Sequence, residues 1–186
     1  MNMEDSIKII SEMVNHTKYN IGRDKPIYLM WGYAVALSAF THYLLAFQFG
    51  VAMPWLVWLS MPIAGLINTI YFSKQKKKAQ ALSFTDRTLG SVWTAFIAAL
   101  LVFLLASPQL GWQGVYPVLM VLYGIGTATT GGVIRYTPLK VGGYLSMLIG
   151  LIAFYLTFEL QLFLLSLSVL VSFVIPGHLL PKKSSI

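Results

Sequence analysis

The sequence predicts an all-α membrane protein. Six transmembrane helices fold as three antiparallel hairpins, with both termini cytoplasmic and an amphipathic helix at the N-terminus. Three observations carry this. The first is composition: 57% of the 186 residues are hydrophobic and 10% are charged, where an average soluble domain carries about 25% charged residues. Mean hydropathy is +0.72, more apolar surface than a soluble domain of this size can hide, so the solvent is lipid. The second is six apolar runs, each close to the roughly 20 helical residues that cross a bilayer core of about 30 Å. The third is that basic residues occupy alternate connections only.

The net charge of +7 would suggest nucleic acid for a soluble chain. Here the charges cluster at span ends, so the expected partner is the bilayer and not nucleic acid. There is no cysteine, which excludes disulfides and thiol catalysis. No secretory signal is expected. The first apolar run begins near Ile27, behind a long polar segment, and is too long for a signal core.

The elements follow in order. Residues 1–26 form a cytoplasmic amphipathic helix and linker. Met3, Ile7, Ile10 and Val14 make one apolar stripe, and Asn2 with Asp5 resembles a capping pair. This helix lies on the bilayer surface, packs under the bundle, or pairs with a copy of itself. Two heptads are too few for a free coiled coil. The bundle of residues 27–181 has spans at 27–48, 51–72, 89–107, 115–134, 141–158 and 160–180, and residues 182–186 are a cytoplasmic tail.

The connections at 49–50, at 108–114 and around Glu159 carry no Lys or Arg. All 13 basic residues lie elsewhere: Lys8, Lys18, Arg23 and Lys25; Lys74, Lys76, Lys77, Lys78 and Arg87; Arg135 and Lys140; Lys182 and Lys183. The positive-inside rule puts these segments, and both termini, in the cytoplasm. Trp31 and Trp93 at inner ends, and Trp55, Trp58 and Trp112 toward the outer face, suit interfacial anchoring. Lys74, Lys76, Lys77 and Lys78 abut the membrane and meet anionic headgroups, at about 1 kcal/mol each.

The short outer turns make helices 1–2, 3–4 and 5–6 antiparallel neighbours. A faint internal repeat accompanies this. Pro54 and Pro117 open return helices, and Pro62 and the Gly124/Gly126 pair weaken them about a further two turns on. The stretches "YLMWGY", "YPVLMVLYGIG", the pair Gly142–Gly143 and "VIPGHLL" resemble a group of uncharacterised small bacterial six-helix membrane proteins. The hairpin plan is also loosely similar to the acid-resistance-type six-helix membrane proteins. The resemblance implies a bacterial inner-membrane location and brings no catalytic motif.

"YGIGTATTGG" at 123–132 is the most distinctive stretch. It is no phosphate loop, because no Gly-Lys-Ser/Thr follows and no strand precedes. It belongs to a full-length span, which leaves no room for a re-entrant filter. As a packing face it fits. Gly124, Ala128 and Gly132 share one side of helix 4, and Gly142, Ser146 and Gly150 share one side of helix 5. Close packing between the two is expected. Similar spacings at Ala34–Ser38–His42, Ser60–Ala64–Asn68 and Gly90–Thr94–Ala98 make small faces general to the bundle.

Polar residues inside spans are the functional candidates. His42, with Gln48, Glu159 and Gln161, makes a candidate outer pocket able to relay protons or hold a ligand. The alternative is that His42 bonds a neighbour and Glu159 faces water. A candidate midspan cavity joins Pro62, Gly124, Gly126, Thr127 and Ser168, since weakened backbone at midspan points to transport sites. Asn68 is expected to bond across to another helix, and Thr69, Ser166, Ser168 and Ser172 either line a polar interior or make helix contacts. One His and one carboxylate fall short of a metal ligand set, so neither metal nor cofactor is expected. No Ser-His-Asp or His-Glu-x-x-His arrangement appears, so an enzyme is not expected. Two classes stay open: a non-enzymatic structural, stress-related or regulatory membrane module acting through a partner or its own oligomer, and a small transporter or channel.

Overall fold

The computed structural model describes residues 25–26, 28–76 and 84–180, and among these every regular element is helical. The amphipathic stripe of residues 1–24, Lys77, Lys78 and the tail lie outside the described residues.

Helix α1 runs over Tyr28–Gln48 and ends in a π turn, Leu44–Gln48. Helix α2 opens as a 3₁₀ turn, Pro54–Leu59, and continues over Ser60–Lys76. Pro54 sits at the first helical position, where its missing N–H leaves no intrahelical bond unmade. Helix α3 is Phe84–Leu110, α4 Trp112–Val133 and α5 Thr137–Ala153. Helix α6 runs over Phe158–Val169, passes through a π turn at Leu170–Val174, and finishes over Ile175–Leu179. The described connections, after α1, α3, α4 and α5, are short. Gly50 and Gly111 have φ of 61° and 68°, the left-handed region that glycine enters without strain.

Helix α5 stops at Ala153, although the apolar run continues through Phe154, Tyr155 and Leu156. Those three residues turn, with Tyr155 N–H on Ile152 O and Leu156 N–H on Ala153 O. Hydropathy alone does not separate an apolar turn from a last helical turn. Helix α3 extends past its apolar core at both ends, from Phe84 to Leu110.

Among the described residues, four helices are long and apolar enough to cross a membrane: Tyr28–Gln48, Pro54–Lys74, Thr85–Leu110 and Phe158–Leu179. Helix α5 is apolar but shorter. Helix α4 has the length, 22 residues, but its second half is rich in Gly and Thr. Half of it, from Val115 to Gly131, is buried against other helices, so its surroundings are protein rather than solvent.

Contacts set the arrangement. Helix α4 lies antiparallel to α5, with Gly131 beside Lys140 and Gly150 beside Pro117. Helix α3 flanks α4 through Trp93 on Gly126 and Phe96 on Tyr123. Helix α6 runs antiparallel to α5 and to α1, with Tyr28 stacked on Phe173 and His42 edge-on to Phe158. Helix α2 returns along α1 through Ser38–Ser60 and His42–Trp58. One end of the bundle therefore carries the short turns, and the other carries Lys25, Arg135, Lys140 and Lys74. None of the most apolar 18-residue stretch of α3 is buried and 6% of that of α2, against 50% of that of α6. Helices α1, α4, α5 and α6 thus form the packed centre, with α2 and α3 on its flanks.

The core is unusually aromatic. His42, Trp58, Tyr116 and Phe158 form a closed circuit of rings with centroids 5.4 to 6.3 Å apart. Trp93, Phe96, Tyr123 and Phe173 form a second, at 5.0 to 5.7 Å. Both sets fall in the range of favourable ring pairs. Met120, fully buried, lies between them on α4.

Candidate functional site

The small-residue contact between α4 and α5 is built more closely than four-residue spacing implies. A Cβ on Gly124 would lie 2.5 Å from Met147 Cγ and 2.6 Å from Gly143 O. A Cβ on Gly143 would strike the backbone of Ala128, and one on Gly131 the backbone of Lys140. The facing set is therefore Gly124, Ala128 and Gly131 against Gly143 and Gly150. Gly132, expected in this face, is exposed with open space around it. The reason is helix geometry. At 3.6 residues per turn, seven residues return to within about 20° of the starting direction, whereas eight overshoot by about 80°. Gly142 also faces elsewhere, toward α6: a Cβ there would lie 2.6 Å from Val171 O.

Ser146 marks where three helices meet. Its hydroxyl donates to Met120 O on α4 at 2.9 Å and lies 2.6 Å from Ser168 Oγ on α6. Because Ser146 has one proton and gives it to Met120 O, Ser168 is the donor between the two hydroxyls. Ser172 donates back to Ser168 O at 2.8 Å. Thr127 is fully buried and donates to Tyr123 O, at 2.8 Å, and to Gly124 O, at 3.2 Å. Of the midspan candidates, Gly124, Thr127 and Ser168 thus belong to packed junctions. A Cβ on Gly126 would lie 3.4 Å from the Trp93 ring. Pro62 is exposed on α2 and does not join them. Asn68 is half-buried, and Thr69 is exposed with its hydroxyl on Gly65 O.

At the short-turn end the four outer candidates separate. His42 is buried, and its Nδ1 accepts from Trp58 Nε1 at 3.0 Å. That bond places the proton of a neutral imidazole on Nε2. Gln48 is exposed at the end of α1, and Glu159 is half-buried in the first turn of α6. Gln161 is fully buried and turns toward α4 and α5. Its Nε2 donates to Gln113 O at 2.9 Å, Ala153 O at 3.0 Å and Leu156 O at 3.3 Å. Each acceptor has a reason to be there. Pro117 lacks the N–H that would bond Gln113 O within α4. Ala153 O and Leu156 O close the C-terminal end of α5, where carbonyls lose intrahelical donors.

The basic end holds contacts that hydropathy and charge placement do not reveal. Lys25 Nζ donates to His178 O at 3.0 Å and Leu180 O at 3.2 Å. Tyr33 Oη lies 2.7 Å from His178 Nε2. Tyr136 donates to Pro176 O at 3.2 Å, and partial burial raises its phenol pKa, so it stays a donor. The visible signal is Pro176, which leaves Ser172 O without its intrahelical donor, and Tyr28 Oη approaches that carbonyl at 3.4 Å. Lys74 is exposed at the end of α2.

Among the described residues, no Asp, Glu, Lys or Arg is buried, and no three His, Cys, Asp or Glu side chains gather as a metal site. No protein-family model, curated protein or solved structure matches the chain.

Proposed function

We propose that this chain is an integral membrane protein of the bacterial inner membrane, with all six helices crossing the bilayer and both ends cytoplasmic. On this reading it is a non-enzymatic module with a structural, stress-related or regulatory role, acting through a protein partner or its own oligomer. The observation that carries the reading is how the interior is filled. Two circuits of rings occupy the junction of α1, α2, α3, α4 and α6. The buried Ser146, Ser168 and Gln161 Nε2 bond to neighbouring helices, Thr127 donates within α4, and Gln161 Oε1 is the buried polar atom left without a partner among the described residues. Groups bonded to each other in this way give helix adhesion, whereas a conduction path keeps polar groups for solute and water.

The alternation of basic and uncharged connections supports the orientation, and Lys74, Lys76, Lys77 and Lys78 supply the contact with anionic headgroups. Because the chain has no cysteine, single cysteines report topology without background. Cysteines at positions 50, 109 and 157 are expected to react with an impermeant maleimide in intact cells, and those at 25, 74 and 135 only after lysis. Any other alternation rejects the six-span arrangement. The transporter reading is tested separately. Proteoliposomes holding the protein should show no proton or cation flux above empty vesicles, and a protein-dependent flux would replace the module reading.

A further inference from the structure

We propose that the junction of α4, α5 and α6 at the short-turn end is a binding site for one resident water, which bridges Gln161 Oε1 and Gln113 O. Gln161 is fully buried. Its Oε1 has no hydrogen-bond partner among the described residues. An acceptor sealed from bulk solvent and left unbonded keeps its whole desolvation cost, so such an atom calls for a specific occupant.

The neighbours fix which end of the amide is which. Nε2 donates to Gln113 O at 2.9 Å, Ala153 O at 3.0 Å and Leu156 O at 3.3 Å. Turning the amide over would set Oε1 against three carbonyl oxygens and break every one of those bonds. The donors at the junction are already committed. Gln161 N–H bonds Thr157 O at 3.0 Å, and Leu156 N–H bonds Ala153 O at 3.1 Å. The exposed Gln113 Nε2 bonds Leu156 O at 3.3 Å. Pro117 has no N–H to give.

These commitments define the occupant. It must donate, because the atoms it meets are oxygens, and this excludes anions and carbonyl ligands. It must be small, because Gln161 is 0% exposed. A carbonyl oxygen has two lone pairs. Ala153 O already takes Leu156 N–H and Gln161 Nε2, and Leu156 O takes both glutamine amides. Gln113 O takes only Gln161 Nε2, since Pro117 cannot use its second lone pair. One water has the two protons this requires. It gives one to Gln161 Oε1 and one to Gln113 O, the kind of otherwise unpaired groups that buried waters serve. The proline of α4 and the amide of α6 are thus joined twice, once directly and once through the water.

Nuclear magnetic resonance of the full chain in lipid nanodiscs, with glutamine side chains labelled, tests this. Gln161→Met identifies the Gln161 signal by its loss. Magnetisation from water should pass directly to the Gln161 side-chain amide, with the sign of a long-lived complex. In Pro117→Ala the restored N–H competes for Gln113 O, and the transfer should be lost while the Gln161 signal itself persists. A structure of the full chain that resolves ordered water should show one oxygen bonded to both Gln161 Oε1 and Gln113 O. Absence of transfer in the unmodified chain overturns the proposal, and so does unchanged transfer in Pro117→Ala. A protein donor on Oε1, such as the His42 Nε2–H, overturns it as well. So does density at the site that changes when sodium is replaced by potassium, which marks a cation.

Discussion

Gln161 Nε2 lies 2.9 Å from the carbonyl of Gln113, the carbonyl that Pro117 leaves without a donor inside its own helix. Two separate irregularities of this chain, a proline inside α4 and a buried amide near the start of α6, thus complete each other. The amide also reaches the end of α5 through Ala153 O and Leu156 O. One side chain joins three helices.

The pair is testable by a double-mutant cycle. Gln161→Met keeps the volume and removes the donors, and should cost about 1–3 kcal/mol in reversible unfolding from detergent or bicelles. Pro117→Ala restores an N–H to Gln113 O. In that background the Gln161→Met cost should shrink by about 0.5–1.5 kcal/mol, a coupling of the size seen for groups in one network. Strictly additive costs would mean that the amide acts only through packing.

The α4–α5 contact makes a paired prediction from two glycines that look equivalent in sequence. Gly143→Ala places a methyl against the backbone of Ala128 and 2.6 Å from Gly124 O. Backbone has no rotamer with which to yield, so about 1–3 kcal/mol or more is lost to overpacking. Gly132→Ala meets nothing within 4 Å and should be neutral, or stabilising by up to about 1 kcal/mol through helix propensity. Equal melting temperatures for the two variants would contradict this register.

The all-helical character of the chain and its apolar helices are legible in the sequence. Composition and the apolar runs point to helices of membrane length, and the small residues of α4 and α5 point to their contact. The register was less legible, because stepping by four carries the reader from Gly124 to Gly132, while the helix brings Gly131 to the partner. The proposed outer pocket mixed residues that face different ways. His42 turns to Trp58 and Gln161 to Gln113, a choice made by tertiary packing that linear spacing does not encode. The basic-end contacts were hidden for a different reason. Lys25 reads as a topology signal, and its acceptors lie more than 150 residues away.

The meeting of α4, α5 and α6 at Ser146 gives a smaller, cleaner effect. Ser146→Ala removes the donor to Met120 O and the acceptor for Ser168. Interhelical bonds of this kind average about 0.6 kcal/mol and reach about 1.7, so a loss of about 1 kcal/mol is expected. Ser168→Ala should cost less, since Ser146 keeps its bond to Met120 O. The reverse order would show that the proton assignment is inverted.

The turn from α4 to α5 carries a strained residue that can be improved. Arg135 has φ 53°, the left-handed region that residues with a Cβ enter at a cost of about 1–2 kcal/mol. The surrounding bonds explain why it is held there. Arg135 N–H reaches Gly132 O, and Tyr136 N–H reaches Gly131 O at 2.8 Å, the paired pattern that closes a helix and that glycine ordinarily serves. Arg135→Gly should therefore raise stability by about 0.5–1 kcal/mol, less the backbone entropy that glycine adds to the unfolded chain. Arg135→Ala is the control, because it removes the same charge and keeps the Cβ. The glycine variant should melt higher than the alanine variant by a few degrees, about 2–4 °C per kcal/mol for a chain of this size. If alanine and glycine melt together, the left-handed turn costs nothing here and the gain expected from glycine disappears.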